Sequence, residues 1–162
     1  MNQPFFGIGL DPPFQVERFD MDNFRIFVIT MIFFAALASI AAAETTAFTA
    51  DLKGSSEAPP TESNAKGRAE LTYDDSTKTL RWTISYWGLT GAATAAHFHG
   101  PAREGENAGV MITISPLPSP MKGAAILTED QSRALLGGNM YINVHTAKYP
   151  DGEIRGQLTP AS

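Results

Sequence analysis

From Thr45 onward, apolar and polar residues alternate with a period of two, the spacing that puts side chains on opposite faces of a β-strand. Phe48, Ala50 and Leu52 share one face of a run over 45–52. The run 67–73 sets Ala69, Leu71 and Tyr73 against Arg68, Glu70 and Thr72, and the run 79–87 sets Leu80, Trp82, Ile84 and Tyr86 against Arg81, Thr83 and Ser85. Asp74-Asp75-Ser76 lies between them, and short polar side chains of this kind close turns by bonding nearby backbone. The two runs therefore predict an antiparallel hairpin with one wet face. A strand carrying His97 and His99 follows, then Val110, Ile112 and Ile114 alternating with Met111 and Thr113, and further runs over 123–127, 139–145 and 153–158. The prolines in Ser115–Pro120 lack donors and interrupt any ladder. Only one segment predicts a helix. Thr128 and Gln131 form a capping box, and Ala134, Leu135 and Leu136 precede a Gly137-Gly138 stop, which gives a two-turn surface connector near 129–136. About eight short strands at regular spacing predict an all-β fold, an antiparallel, Greek-key-like β-sandwich or barrel.

The first 43 residues have a different character. Ile26 to Ala43 carry no charge, follow Arg25 and end in Ala41-Ala42-Ala43 before Glu44. A basic flank, an apolar core and an A-x-A site predict a secretory signal peptide cleaved after Ala43. The run has 18 residues, at the short edge of the ~20 a membrane span needs, so an uncleaved anchor is the alternative. Asp11, Glu17, Asp20 and Asp22 outnumber Arg18 and Arg25, which suits a signal flank poorly. A start at Met21 leaves only Asp22 and Arg25 ahead of the apolar run. The expected organisation is thus a mis-called or extended leader over 1–20, a signal peptide over 21–43 and a single domain over 44–162.

The domain over 44–162 has 10 basic and 13 acidic residues, a net charge of −3. With no basic patch, a nucleic-acid partner is not expected. The chain has no cysteine. That excludes disulfides, thiolate metal sites and a cysteine nucleophile, and in an exported protein it favours a sandwich that holds itself together without staples. No glycine-rich loop precedes a helix, so there is no phosphate cradle. Ser85 and Ser115 lie in ordinary strand or loop contexts, and Asp74-Asp75 and Glu104/Glu106 read as solvated loop acids. Trp82 falls on an apolar face and reads as core; Trp87 falls on the other and is expected to be exposed, where it could stack on a sugar. The chain is not expected to be an enzyme.

The chemistry concentrates in the three histidines. His97 and His99 are two apart on one strand and project to one face, while His145 ends another strand-like run. Neutral imidazole binds zinc, copper, iron and nickel. Three imidazoles would hold one ion and leave a position for a further ligand, for which Glu153, Asp151 and water all stand open. Copper is favoured over zinc, because the expected compartment is oxidising and no thiolate is present. Met111, Met121 or Met140 would favour Cu(I) if placed beside the histidines. In the competing reading the histidines bond one another or the backbone and fix the register of two strands.

The residues resemble the CHRD domain, named after the repeats of chordin. The resemblance runs from Phe48-Thr49-Ala50-Asp51-Leu52 and Glu57-Ala58-Pro59-Pro60 through Gly67-Arg68-Ala69 and His97-Phe98-His99-Gly100-Pro101-Ala102. It ends with the segment Leu136 to Thr146 and with Gly152-Glu153-Ile154-Arg155-Gly156-Gln157-Leu158. The resemblance implies an extracytoplasmic β-sandwich and no shared activity. An H-x-H strand in an exported Greek-key sandwich also resembles copper–zinc superoxide dismutase, but that enzyme uses more histidines and a cysteine pair, both missing here. Taken together, the residues predict a periplasmic or extracellular protein that binds one copper or zinc ion through His97, His99 and His145 for carriage or sequestration. The alternative is a non-catalytic module of the cell envelope or extracellular space, with dismutase activity a distant third. The sequence names no protein partner, and a membrane is met only through the 26–43 segment if it stays uncleaved.

Overall fold

The computed structural model describes residues 44–161. The expected leader and signal peptide lie outside the described residues. The strands are β1 (Thr45–Lys53), β2 (Lys66–Asp74), β3 (Thr79–Trp87), β4 (Ala93–His99), β5 (Val110–Thr113), β6 (Met121–Ile126), β7 (Tyr141–Thr146), β8 (Ile154–Gln157) and the short β9 (Thr159–Pro160), with one α-helix, α1 (Glu129–Leu136). They form one antiparallel sheet in the order β5-β4-β7-β8-β1-β2-β3-β6, and β9 pairs with β1. Among the described residues no helix is long and apolar enough to cross a membrane.

The sheet curls on itself into a half-barrel because its inward face is apolar along every long strand. Phe48, Ala50, Leu52, Ala69, Leu71, Tyr73, Leu80, Trp82 and Ile84 from one half meet Ala96, Phe98, Ile142, Val144 and Ile154 from the other. Trp82 on β3 packs edge-on against Phe98 on β4, with ring centroids 5.1 Å apart, although four strands separate β3 from β4 in the sheet. The all-β, Greek-key-like expectation therefore holds: the β3–β4, β5–β6 and β6–β7 connections each pass from one half of the sheet to the other. The proline-rich stretch after β5 makes one of these crossings.

Two local outcomes differ from the sequence reading, and a third adds to it. The predicted capping box at Thr128 and Gln131 forms, but α1 is no mere surface connector. Ser132, Ala134 and Leu135 are buried, Tyr73 Oη donates to Ser132 Oγ at 2.9 Å, and Gln131 Nε2 donates to the Met111 carbonyl at 2.9 Å. The helix thus closes one side of the core. Val110 does not share the inward face with Ile114: it is exposed, and the β4–β5 register shifts between Phe98 and His99. A bulge of this kind breaks the alternation that the sequence pattern assumes. Finally, the polar face of β8 is dry. Glu153 and Arg155 are almost wholly buried: the loop after β4 bonds to Arg155, and Ser63 and Thr90 from two other loops bond to Glu153.

Candidate metal centre

The pleat of β4 sends Ala96 and Phe98 inward, both fully buried, and leaves His97 and His99 on the outer face. Ile142 and Val144 point inward from β7, so Tyr141, Asn143 and His145 share its outer face. In the β4–β7 ladder, Ala95 faces His145, His97 faces Asn143, and His99 faces Tyr141. Six outer-face residues of two strands therefore form a patch, and the small Ala95 leaves room beside His145 for His97 to lean across diagonally.

One ring nitrogen from each of His97, His99 and His145 lies within 4.8 Å of the others, so the three histidines could hold a metal ion. Nδ1 of His97 is 3.1 Å from Nε2 of His145. Two nitrogens of a tetrahedral site with bonds of ~2.1 Å are separated by about 3.4 Å. This pair already has nearly that spacing, and the third nitrogen lies within 4.8 Å of both.

Two of the rings are aimed by the backbone. Nδ1 of His145 donates to the Pro150 carbonyl at 2.9 Å, and Nδ1 of His99 donates to the Ala108 carbonyl at 2.9 Å. A carbonyl only accepts, so both Nδ1 atoms carry protons and both neutral rings present the Nε2 lone pair. This is the outer-shell arrangement that sets tautomer and direction in metal-bound histidines. Without a metal, His97 donates from Nδ1 to Nε2 of His145. Binding an ion through that nitrogen only requires the proton of His97 to move to its own Nε2.

The electrostatics favour neutral imidazoles. Burial holds His97 below the ordinary histidine value, and the neighbouring His145 and His99 push the same way. Burial also lowers His145, and His99 adds to this; the Pro150 carbonyl and Asp151 oppose it without reversing it.

Behind the histidines lies a buried support that the sequence reading did not single out. The Tyr141 ring stacks on His99 at 4.9 Å with planes 6° apart, and the Arg155 guanidinium lies 3.5 Å from the centre of the Tyr141 ring. β4 and β8 flank β7 on opposite sides, so the phenol sits between imidazole and guanidinium. Arg155 donates to Asn107 Oδ1 and to the Arg103 carbonyl, and Gln157 donates to the Ala102 carbonyl. These bonds fasten the 100–109 loop that supplies the Ala108 carbonyl. Glu57 is buried nearby; burial raises its carboxyl to about 7, against a partial lowering by Arg155. Period-two spacing from His145 already marks Asn143 and Tyr141 as its face-mates. Glu57 belongs to the Glu57–Pro60 segment of the resemblance, but nothing in the local sequence signals that this loop residue is buried here.

The candidates for a fourth ligand separate clearly. Glu153 accepts from Ser63 Oγ, Thr90 N, Thr90 Oγ1 and Thr146 Oγ1, at 2.6–2.9 Å. Burial works to raise its carboxyl, but these bonds outweigh burial and lower it. With its oxygens so engaged, Glu153 ties loops to β7 and does not join the histidines. Neither Glu153 nor Asp151 belongs to the close set. Met121 and Met140 are buried in the core, and Met111 packs against Gly100 and the core's edge. Trp82 is core and Trp87 is exposed, as their faces predicted.

Searches among curated proteins and among solved structures give no match to the chain. A family model does match: the CHRD domain, over residues 48–158, a span that runs from β1 past β8 and contains all three histidines. The chain therefore belongs to the CHRD domain family.

Proposed function

We propose that this protein is exported and binds one transition-metal ion, copper in preference to zinc, through His97, His99 and His145. Its role is carriage or sequestration of the ion, not catalysis. The observation that carries this reading is the orientation of the rings. His99 and His145 each spend Nδ1 on a backbone carbonyl and present Nε2 to the patch, where His97 Nδ1 stands 3.1 Å from one of them. Lowered basicity keeps His97 and His145 in their metal-binding form. Export rests on the apolar run Ile26–Ala43 and its A-x-A end. The test is metal analysis after loading with copper or zinc. The parent should retain about one ion per chain, and a His97→Ala, His99→Ala double variant should retain none; equal retention would rule the reading out.

A second reading is a structural or interaction module of the cell envelope or extracellular space. It is favoured by the same ring contacts, since the His97–His145 bond and the His99–Tyr141 stack join β4 to β7 with no ion. Here the double variant would lower thermal stability and leave metal content unchanged.

A further inference from the structure

Nε2 of His99 stands 3.1 Å from Oδ1 of Asn143. Because Nδ1 of His99 is spent on the Ala108 carbonyl, Nε2 of the neutral ring is an acceptor. A lone pair therefore faces an amide oxygen, and two acceptors at this distance repel unless a positive centre lies beside them. The amide nitrogen Nδ2 lies on the Gly152 side. A Cβ on Gly152 would lie 2.9 Å from Asn143 Nδ2 and 2.5 Å from Glu57 Oε1, so both atoms border Gly152. Glu57 Oε1 is buried with no hydrogen-bond partner. The structure sets the amide oxygen of Asn143 towards the histidines.

Building on the metal reading, we infer that the side-chain oxygen of Asn143 is the fourth ligand, completing an N3O set around a divalent ion, Cu(II) or Zn(II). Asn143 is buried and directly faces His97 across the β4–β7 ladder. It therefore lies within the histidine patch and not at its rim. The His97–His145 and His99–Asn143 separations are both 3.1 Å, two edges close to those of a tetrahedron with bonds of ~2.1 Å. An amide oxygen is a hard donor and the close set contains no sulfur, so the site selects the divalent ions over Cu(I). Four protein ligands also close the coordination sphere. Closed spheres belong to holding sites, whereas catalytic sites keep a position for water. The assignment thus explains why the site would carry an ion without turning anything over.

The test uses the full chain, kept soluble with a non-ionic detergent, loaded with Cu(II) for EPR and titrated with Zn(II) for affinity. Asn143→Ala should weaken Zn(II) binding about tenfold or more. The nearly isosteric Asn143→Asp should tighten it and should shift the Cu(II) EPR spectrum, since the coordinating oxygen gains charge. If Asn143→Ala keeps the parent affinity, or if Asn143→Asp leaves the Cu(II) spectrum unchanged, Asn143 is not a ligand. Should Asn143→Ala fail to fold, the Asn143→Asp spectrum decides alone. A separate His97→Ala, His99→Ala variant distinguishes the two failures. Loss of metal there with an unchanged Asn143→Asp spectrum removes only the fourth ligand, while retention of metal there removes the site itself.

Discussion

Nδ1 of His97 stands 3.1 Å from Nε2 of His145, across 48 residues of sequence. The two residues are not directly opposed: His145 faces Ala95, and His97 faces Asn143. The contact is a diagonal reach over a small side chain between two adjacent strands. It makes the patch a converging set of imidazoles instead of a row of parallel ones.

The lowered basicity of His97 and His145 gives the patch a pH signature. A base whose folded pKa lies below its unfolded value binds fewer protons when folded. Its contribution to stability is fully present above the unfolded value of ~6.5 and is lost as pH falls through the folded value. Thermal unfolding of the metal-free protein should thus show a midpoint that drops as pH falls below ~6.5. The drop should be smaller in a His97→Ala, His145→Ala variant. Equal slopes in parent and variant would contradict this.

Glu57 has the opposite signature. Its carboxyl is raised from 4.5 to about 7 by burial, so the folded state binds the extra proton between these values. Stability is greatest below the lower value and declines as pH rises through the upper one. Glu57→Gln mimics the protonated form. It should stabilise the protein at pH ~8 by roughly 2–3 kcal/mol and leave it unchanged at pH ~4. Denaturant unfolding at both pH values measures the difference, and an equal effect at both would refute the assignment.

Arg155 is a buried cation held by Asn107, the Arg103 carbonyl and the Tyr141 ring. Arg155→Ala removes the tie between β8 and the 100–109 loop and should cost roughly 3–5 kcal/mol in denaturant unfolding. Arg155→Lys should recover less than half of that, since an ammonium cannot lie flat on the phenol and also reach both oxygens. Full rescue by lysine would show that charge alone matters there.

Phe98 sits back to back with the histidines on β4 and packs on Trp82 from the far half of the sheet. Phe98→Ala should cost about 3–5 kcal/mol by opening a cavity. It should also shift the emission of Trp82, whereas Trp87 is exposed in either case. Unaltered emission and a loss below about 1 kcal/mol would contradict the packing of the two halves.

Gly152 has φ +133, and a Cβ there would lie 2.5 Å from Glu57 Oε1. Gly152→Ala combines backbone strain with that clash and should cost roughly 2–4 kcal/mol. It should also displace Asn143 Nδ2, the other atom beside that Cβ. A thermal midpoint equal to that of the parent would refute this.

Much of the fold was legible because period two is a local property. Each of the eight main strands overlaps a run predicted as strand, and Thr128 with Gln131 announced the only α-helix of the described residues. Pairing is not local. That β4 lies between β5 and β7, and that Trp82 meets Phe98, depends on which apolar faces close on each other. For β8, alternation reports only that one face is polar and not core. Whether a loop then covers that face is decided elsewhere in the chain, here by Arg103 and Asn107.

The sequence by itself determined that His97 and His99 share a face, since two residues on a strand always do. It also determined that His145 lies at the end of another strand, and that sulfur ligands from cysteine are absent. Only the tertiary structure decided that His145 meets them, because register between β4 and β7 is set by the whole closed sheet. The tertiary structure also decided which nitrogen each ring presents. The carbonyls of Ala108 and Pro150, carried in by two loops, orient the imidazoles, and no spacing along the chain encodes where those loops come to rest.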